Sequence, residues 1–119
     1  MTELDRFITQ LKQQDIAVYL LINPYQQPYL DQLTEYQLDQ HLGNWKAQMI
    51  QLAKHHQLPL FDFAINSKLV TDVVAPNSKV TEDSPYFWEP AHYRPAFGDL
   101  ILNSLLKNNC HHVCKLYSQ

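Results

Sequence analysis

The feature that most constrains this chain is a continuous apolar run, Ile16-Ala17-Val18-Tyr19-Leu20-Leu21-Ile22, stopped by Asn23-Pro24. It is too short for a free-standing helix and lacks the alternation of a half-exposed strand. The expected form is a strand buried on both faces, as in a parallel sheet. Residues 59–64 read as a second short strand. Between the two, residues 44–57 read as a helix with Trp45, Met49, Leu52, Ala53 and His56 on one face. Strand, helix and strand in that order make a parallel βαβ unit, right-handed by default.

The flanks complete the outline. Leu4, Phe7, Ile8 and Leu11 repeat at helical spacing, so residues 3–14 are expected as an amphipathic helix with Thr2 as its N-cap. Pro24 and Pro28 break the chain before one or two short helices in 29–41. Residues 66–91 hold three prolines and little periodicity, which predicts a long functional loop, with Leu69 to Val74 as a brief strand or turn of helix. Pro95 opens a last helix to about Lys107, and Asn108-Asn109 stops it. The segment from His112 to Tyr117 alternates weakly and is expected as an edge strand. The fold class is therefore α/β: a partial three-layer sandwich around a small, mostly parallel sheet. Residues 1–119 make a single domain. Its opening helix looks like a crossover from a strand outside this sequence, so the expected unit is the later part of a larger α/β domain.

Composition narrows the function. The 119 residues carry nine Lys+Arg and twelve Asp+Glu, a net charge of -3, which disfavours a phosphate-backbone binder. No apolar run reaches the roughly 18 to 20 residues of a membrane span. Met1-Thr2-Glu3-Leu4-Asp5 does not open like a secretory signal. The two glycines, Gly43 and Gly98, exclude a glycine-rich phosphate loop. No cofactor is expected. Compartment is left open.

The chemistry concentrates in Tyr86-Phe-Trp-Glu-Pro-Ala-His-Tyr-Arg-Pro-Ala-Phe-Gly-Asp. Glu89 stands three residues before His92 on a turn that leads into a helix. A carboxylate at that spacing orients an imidazole and favours its charged form, and such a pair activates a hydroxyl nucleophile. The alternative is an ordinary surface pair or a packed histidine. This block resembles the last block of the SGNH (GDSL-like) hydrolase superfamily, most nearly its bacterial uncharacterised or cell-envelope members. The resemblance extends over about residues 16–107 through the strand ending Ile22-Asn23-Pro24, the Trp45-Lys46 helix and Leu60-Phe61-Asp62-Phe63. It implies that His92 is the general base and Glu89 its orienting acid, where the family uses Asp. It implies an ester hydrolase or acyltransferase acting on a small-molecule or carbohydrate ester. The family's Gly-Asp-Ser block and its oxyanion Gly and Asn have no counterpart here. The serines are Ser67, Ser78, Ser84, Ser104 and Ser118, and none follows a glycine. The nucleophile is then expected from an N-terminal half in trans, and the chain alone as inactive. Ser78 or Ser84 is the substitute within the chain. The competing expectation is a non-catalytic α/β module that pairs with itself or a partner.

Other residues carry two readings each. Asn23 and Asn66 follow the two strands, where open α/β sheets bind ligands, although Asn before Pro also simply starts a turn. Arg94 either binds an anionic group or pairs with Asp99. Asp62, inside an apolar strand, needs a partner, with Lys68, Arg94 or backbone amides in reach. Tyr25, Tyr29 and Tyr36 with nearby glutamines form either a polar aromatic surface or a loop skin. Cys110-His111-His112-Val113-Cys114 supplies zinc-type ligands at poor spacing, with His55-His56 as the other histidine pair. The expectation is a histidine-rich helix end with two reduced thiols and no metal.

Overall fold

The computed structural model describes residues 1–70 and 84–118. Among these, the chain is mixed α/β. The order is α1 (Thr2–Gln13), β1 (Leu20–Ile22), α2 (Gln27–Glu35), α3 (Asp39–His56), β2 (Leu60–Asp62), β3 (Phe87–Glu89), β4 (His92–Tyr93), α4 (Pro95–Lys107) and β5 (Lys115–Tyr117). One sheet runs β1-β2-β5, and β3-β4 form a separate hairpin. β1 and β2 are parallel, with Leu20 opposite Leu60 and Ile22 opposite Asp62. β5 is antiparallel to β2, with Leu60 opposite Tyr117. The parallel pair and the edge strand near the C-terminus are as expected, but the three-stranded sheet is mixed rather than mostly parallel.

The apolar run yields less strand than its composition predicts. Only Leu20–Ile22 enters the ladder, while Ile16 and Tyr19 are 45% and 53% exposed. Among the described residues β1 has a partner on one side only, so there the run lacks the second neighbour that would extend and bury it. The helices follow their signals more closely. α1 begins at Thr2 itself, so Thr2 is the first helical residue and caps nothing. α3 starts five residues earlier than expected, at Asp39. It ends on Gln57 in the left-handed conformation. α4 runs from Pro95 to Lys107 and ends on left-handed Asn108, where an amide side chain tolerates the conformation.

Two apolar clusters form because successive strand residues point to opposite faces. Leu20, Ile22 and Leu60 pack with Ile8 of α1 and with Met49, Leu52 and Ala53 of α3. Phe61 and Phe63 pack with Phe87 of the hairpin and with Phe97 and Ile101 of α4. Phe97 is the centre of this second cluster, with Phe63, Tyr86 and Phe87 edge-on around it at 5.5–6.3 Å between centroids. Cys114 is buried here too and is disulfide-bonded to Cys110. That bond corrects the expectation of two reduced thiols. The left-handed conformations of His111 and His112 fold the five-residue segment back on itself and bring the two sulfurs together.

Candidate active site

The site begins with a hairpin. Glu89 and His92 are cross-strand partners on either side of a two-residue turn, Pro90-Ala91. A spacing of three therefore makes the side chains face one another, as direct opposites on one face of the ribbon do. The ladder is irregular between Phe87 and Glu89, and such a bulge re-aims the side chains beside it. Glu89 Oε1 engages His92 Nδ1. Glu89 Oε2 accepts the Ala91 amide at 3.1 Å. The Ala91 amide, then the His92 hydrogen bond and charge, hold the Glu89 carboxyl below its ordinary value of 4.5. The His92 side chain is 79% exposed, and no hydrogen bond among the described residues uses its Nε2. The hairpin thus presents a carboxylate-oriented imidazole with its second nitrogen open to solvent.

Its location follows from three backbone contacts. The Gln26 amide donates to Pro90 O at 2.9 Å, so the loop leaving β1 touches the tip of the hairpin. The Gln27 amide donates to Val70 O at 2.8 Å, which ties the same loop to the turn after β2. The Arg94 amide donates to Tyr86 O at 2.7 Å and closes the base of the hairpin. The hairpin therefore stands at the carboxyl ends of β1 and β2, the end where open α/β sheets bind ligands. Gln27 Oε1 in this loop is buried and accepts no hydrogen bond among the described residues.

The remaining expected site residues divide. Asn23 and Asn66 are exposed near the carboxyl ends of β1 and β2, and no hydrogen bond joins either to Glu89 or His92. Arg94 belongs to the hairpin: its Nε donates to Phe87 O at 3.0 Å, and its guanidinium lies 4.1 Å from the Trp88 ring centre. Among the described residues the side chain engages the Phe87 carbonyl and the Trp88 ring, and no ion pair joins it to Asp99. Ser84 is buried, and its Oγ accepts the Phe87 amide at 3.1 Å. That bond shapes the start of β3. Ser78 and the end of the Leu69 to Val74 stretch lie outside the described residues. Tyr25 and Tyr29 stack at 4.6 Å, whereas Tyr36 is 69% exposed and has no part in the stack.

Asp62 has its structural role, with a partner that the sequence did not single out. Its Oδ2 lies 2.7 Å from Lys46 Nζ, and its Oδ1 accepts the Ala64 amide at 2.9 Å. Lys46 also donates to Ala64 O at 2.7 Å. Lys46 comes from α3, sixteen positions before Asp62, and only the packing of that helix on the sheet brings it there. The Cys110–Cys114 disulfide occupies both sulfurs, so neither is a thiolate ligand beside His111 and His112. No protein-family model, curated protein or solved structure matches this chain.

Proposed function

We propose that Glu89 and His92 are the acid–base half of an ester-hydrolase or acyl-transfer site of the SGNH kind. The observation that carries this reading is the oriented imidazole: Nδ1 on a carboxylate, Nε2 open, at the carboxyl ends of a parallel strand pair. The two apolar clusters on opposite strand faces support a partial three-layer sandwich, the half of a flavodoxin-like or SGNH-like fold. In the reaction, a serine Oγ attacks the ester carbonyl carbon while its proton passes to His92 Nε2. Glu89 stabilises the imidazolium that forms. The proton then passes to the departing alkoxide as the carbon–oxygen bond breaks. Water, or a sugar hydroxyl in acyl transfer, releases the acyl group, with His92 again taking and returning the proton. The serine and the oxyanion donors come from a partner or from sequence beyond these 119 residues.

The test is hydrolysis of p-nitrophenyl acetate by the protein with its native partner or flanking sequence. His92→Ala lowers kcat/KM by about 10³-fold and Glu89→Gln by about 10²-fold, with circular dichroism unchanged. Activity that survives His92→Ala unaltered removes the assignment.

A second reading, a non-catalytic module that pairs through its sheet, is favoured by one observation. β1 hydrogen-bonds to β2 only, and its other edge is open among the described residues.

A further inference from the structure

A second cluster of chemically capable side chains lies where α1 crosses the end of α3. Asp5 sits in the first turn of α1, and His55 and His56 in the last turn of α3. The helices are held together by Ile8 against Met49, Leu52 and Ala53. Lys12 Nζ donates to His56 O at 2.7 Å and ties the end of α3 to α1. His56 is buried, and its Nε2 lies 2.6 Å from Asp5 Oδ1. The His55 ring stands edge-on to His56 with 4.9 Å between centroids. One ligand atom from each of the three residues lies within 4.8 Å of the other two.

We propose that Asp5, His55 and His56 bind one divalent transition-metal ion of the zinc class. Zinc bonds of about 2.0–2.2 Å in tetrahedral geometry place ligand atoms about 3.3 Å apart. The Asp5–His56 pair at 2.6 Å needs only to open by a fraction of an ångström, and His55 needs only to swing inward. His55 is exposed and Asp5 is partly exposed, so both have room to do so. Two imidazoles and one carboxylate suit zinc, with nickel and copper as chemical relatives, and disfavour calcium or magnesium, which prefer all-oxygen shells. Asp5 and His55 also line an open groove of about 560 Å³ between the two helices, together with Thr2, Gln48, Gln51 and Leu52. A three-ligand site beside a groove leaves the fourth zinc position to water or to a donor atom from a bound molecule. The zinc-type ligands that stand out in the sequence, Cys110 to Cys114, belong to a different segment. The groove includes no residue of the β3–β4 hairpin, so this site is independent of Glu89 and His92.

The experiment is calorimetric titration of the untagged protein with zinc chloride, backed by cobalt(II) absorption spectra. One ion binds per chain, and cobalt gives the intense visible bands of a four-coordinate site. His55→Ala, at an exposed position with no fold to lose, weakens zinc binding at least tenfold. Asp5→Asn does the same. His111→Ala with His112→Ala leaves it unchanged. Absence of saturable binding at micromolar zinc overturns the proposal. So does binding that His55→Ala leaves intact, or that the paired change at His111 and His112 removes.

Discussion

At the scale of single residues, the sign of one pKa decides how the hairpin responds to acid. The Ala91 amide and His92 favour ionised Glu89, so its folded value lies below 4.5. A depressed carboxyl contributes stability that is complete above the ordinary value and is lost as pH falls through the folded value. With 45% of the Glu89 side chain in water, that contribution is small, and titration is the better readout. Carbon-detected NMR of the Glu89 carboxyl should show a midpoint below the ordinary glutamate range. His92→Ala should move it back toward 4.5, stopping short because the Ala91 amide remains. A midpoint indifferent to His92→Ala means that the two side chains do not pair in solution. The Lys46–Asp62 pair makes a larger demand. Asp62 is 3% exposed, and Lys46→Met strands its carboxylate. Urea denaturation should show a loss of about 3–5 kcal/mol, and Lys46→Met with Asp62→Leu should recover part of it.

At the scale of elements, what was legible in the sequence is what local signals determine. Pro95 and Asn108 bound α4 because each acts through its own backbone preference. Glu89 and His92 were legible as a pair because three-residue spacing across a tight turn needs no distant help. The hairpin that carries them was not, since Pro90-Ala91 has none of the Gly or Asn that announces a two-residue turn. Lys46 with Asp62, and Asp5 with His56, were illegible for another reason: each joins elements whose docking no local pattern encodes. The Cys110–Cys114 bond was hidden by two left-handed histidines, a conformation uncommon outside glycine that no local pattern announces. The bond fastens the end of α4 to the start of β5. Closing so short a loop is worth about 2 kcal/mol in the chain-entropy account. Reduction with dithiothreitol should lower stability by about that amount. It should also raise amide exchange in Lys115–Tyr117 well before it affects β1.

At the scale of the whole molecule, the sheet has two edges of different character. β5 carries Lys115 and is anchored by the disulfide, both of which blunt an edge. β1 is preceded by exposed Ile16 and Tyr19, and among the described residues its other side carries no such protection. An apolar approach to an unpaired strand is a template for another strand, whether from a second copy or from a partner protein. The protein without such a partner is therefore expected to associate as its concentration rises, which sedimentation velocity measures directly. Tyr19→Lys puts a charge at the start of the edge and should shift the association midpoint to at least tenfold higher concentration. Because Tyr19 is 53% exposed, folding should survive the change. A monomer at all concentrations, unaffected by Tyr19→Lys, would remove self-pairing through β1 and leave the hairpin at the carboxyl ends of the strands as the feature any partner must approach.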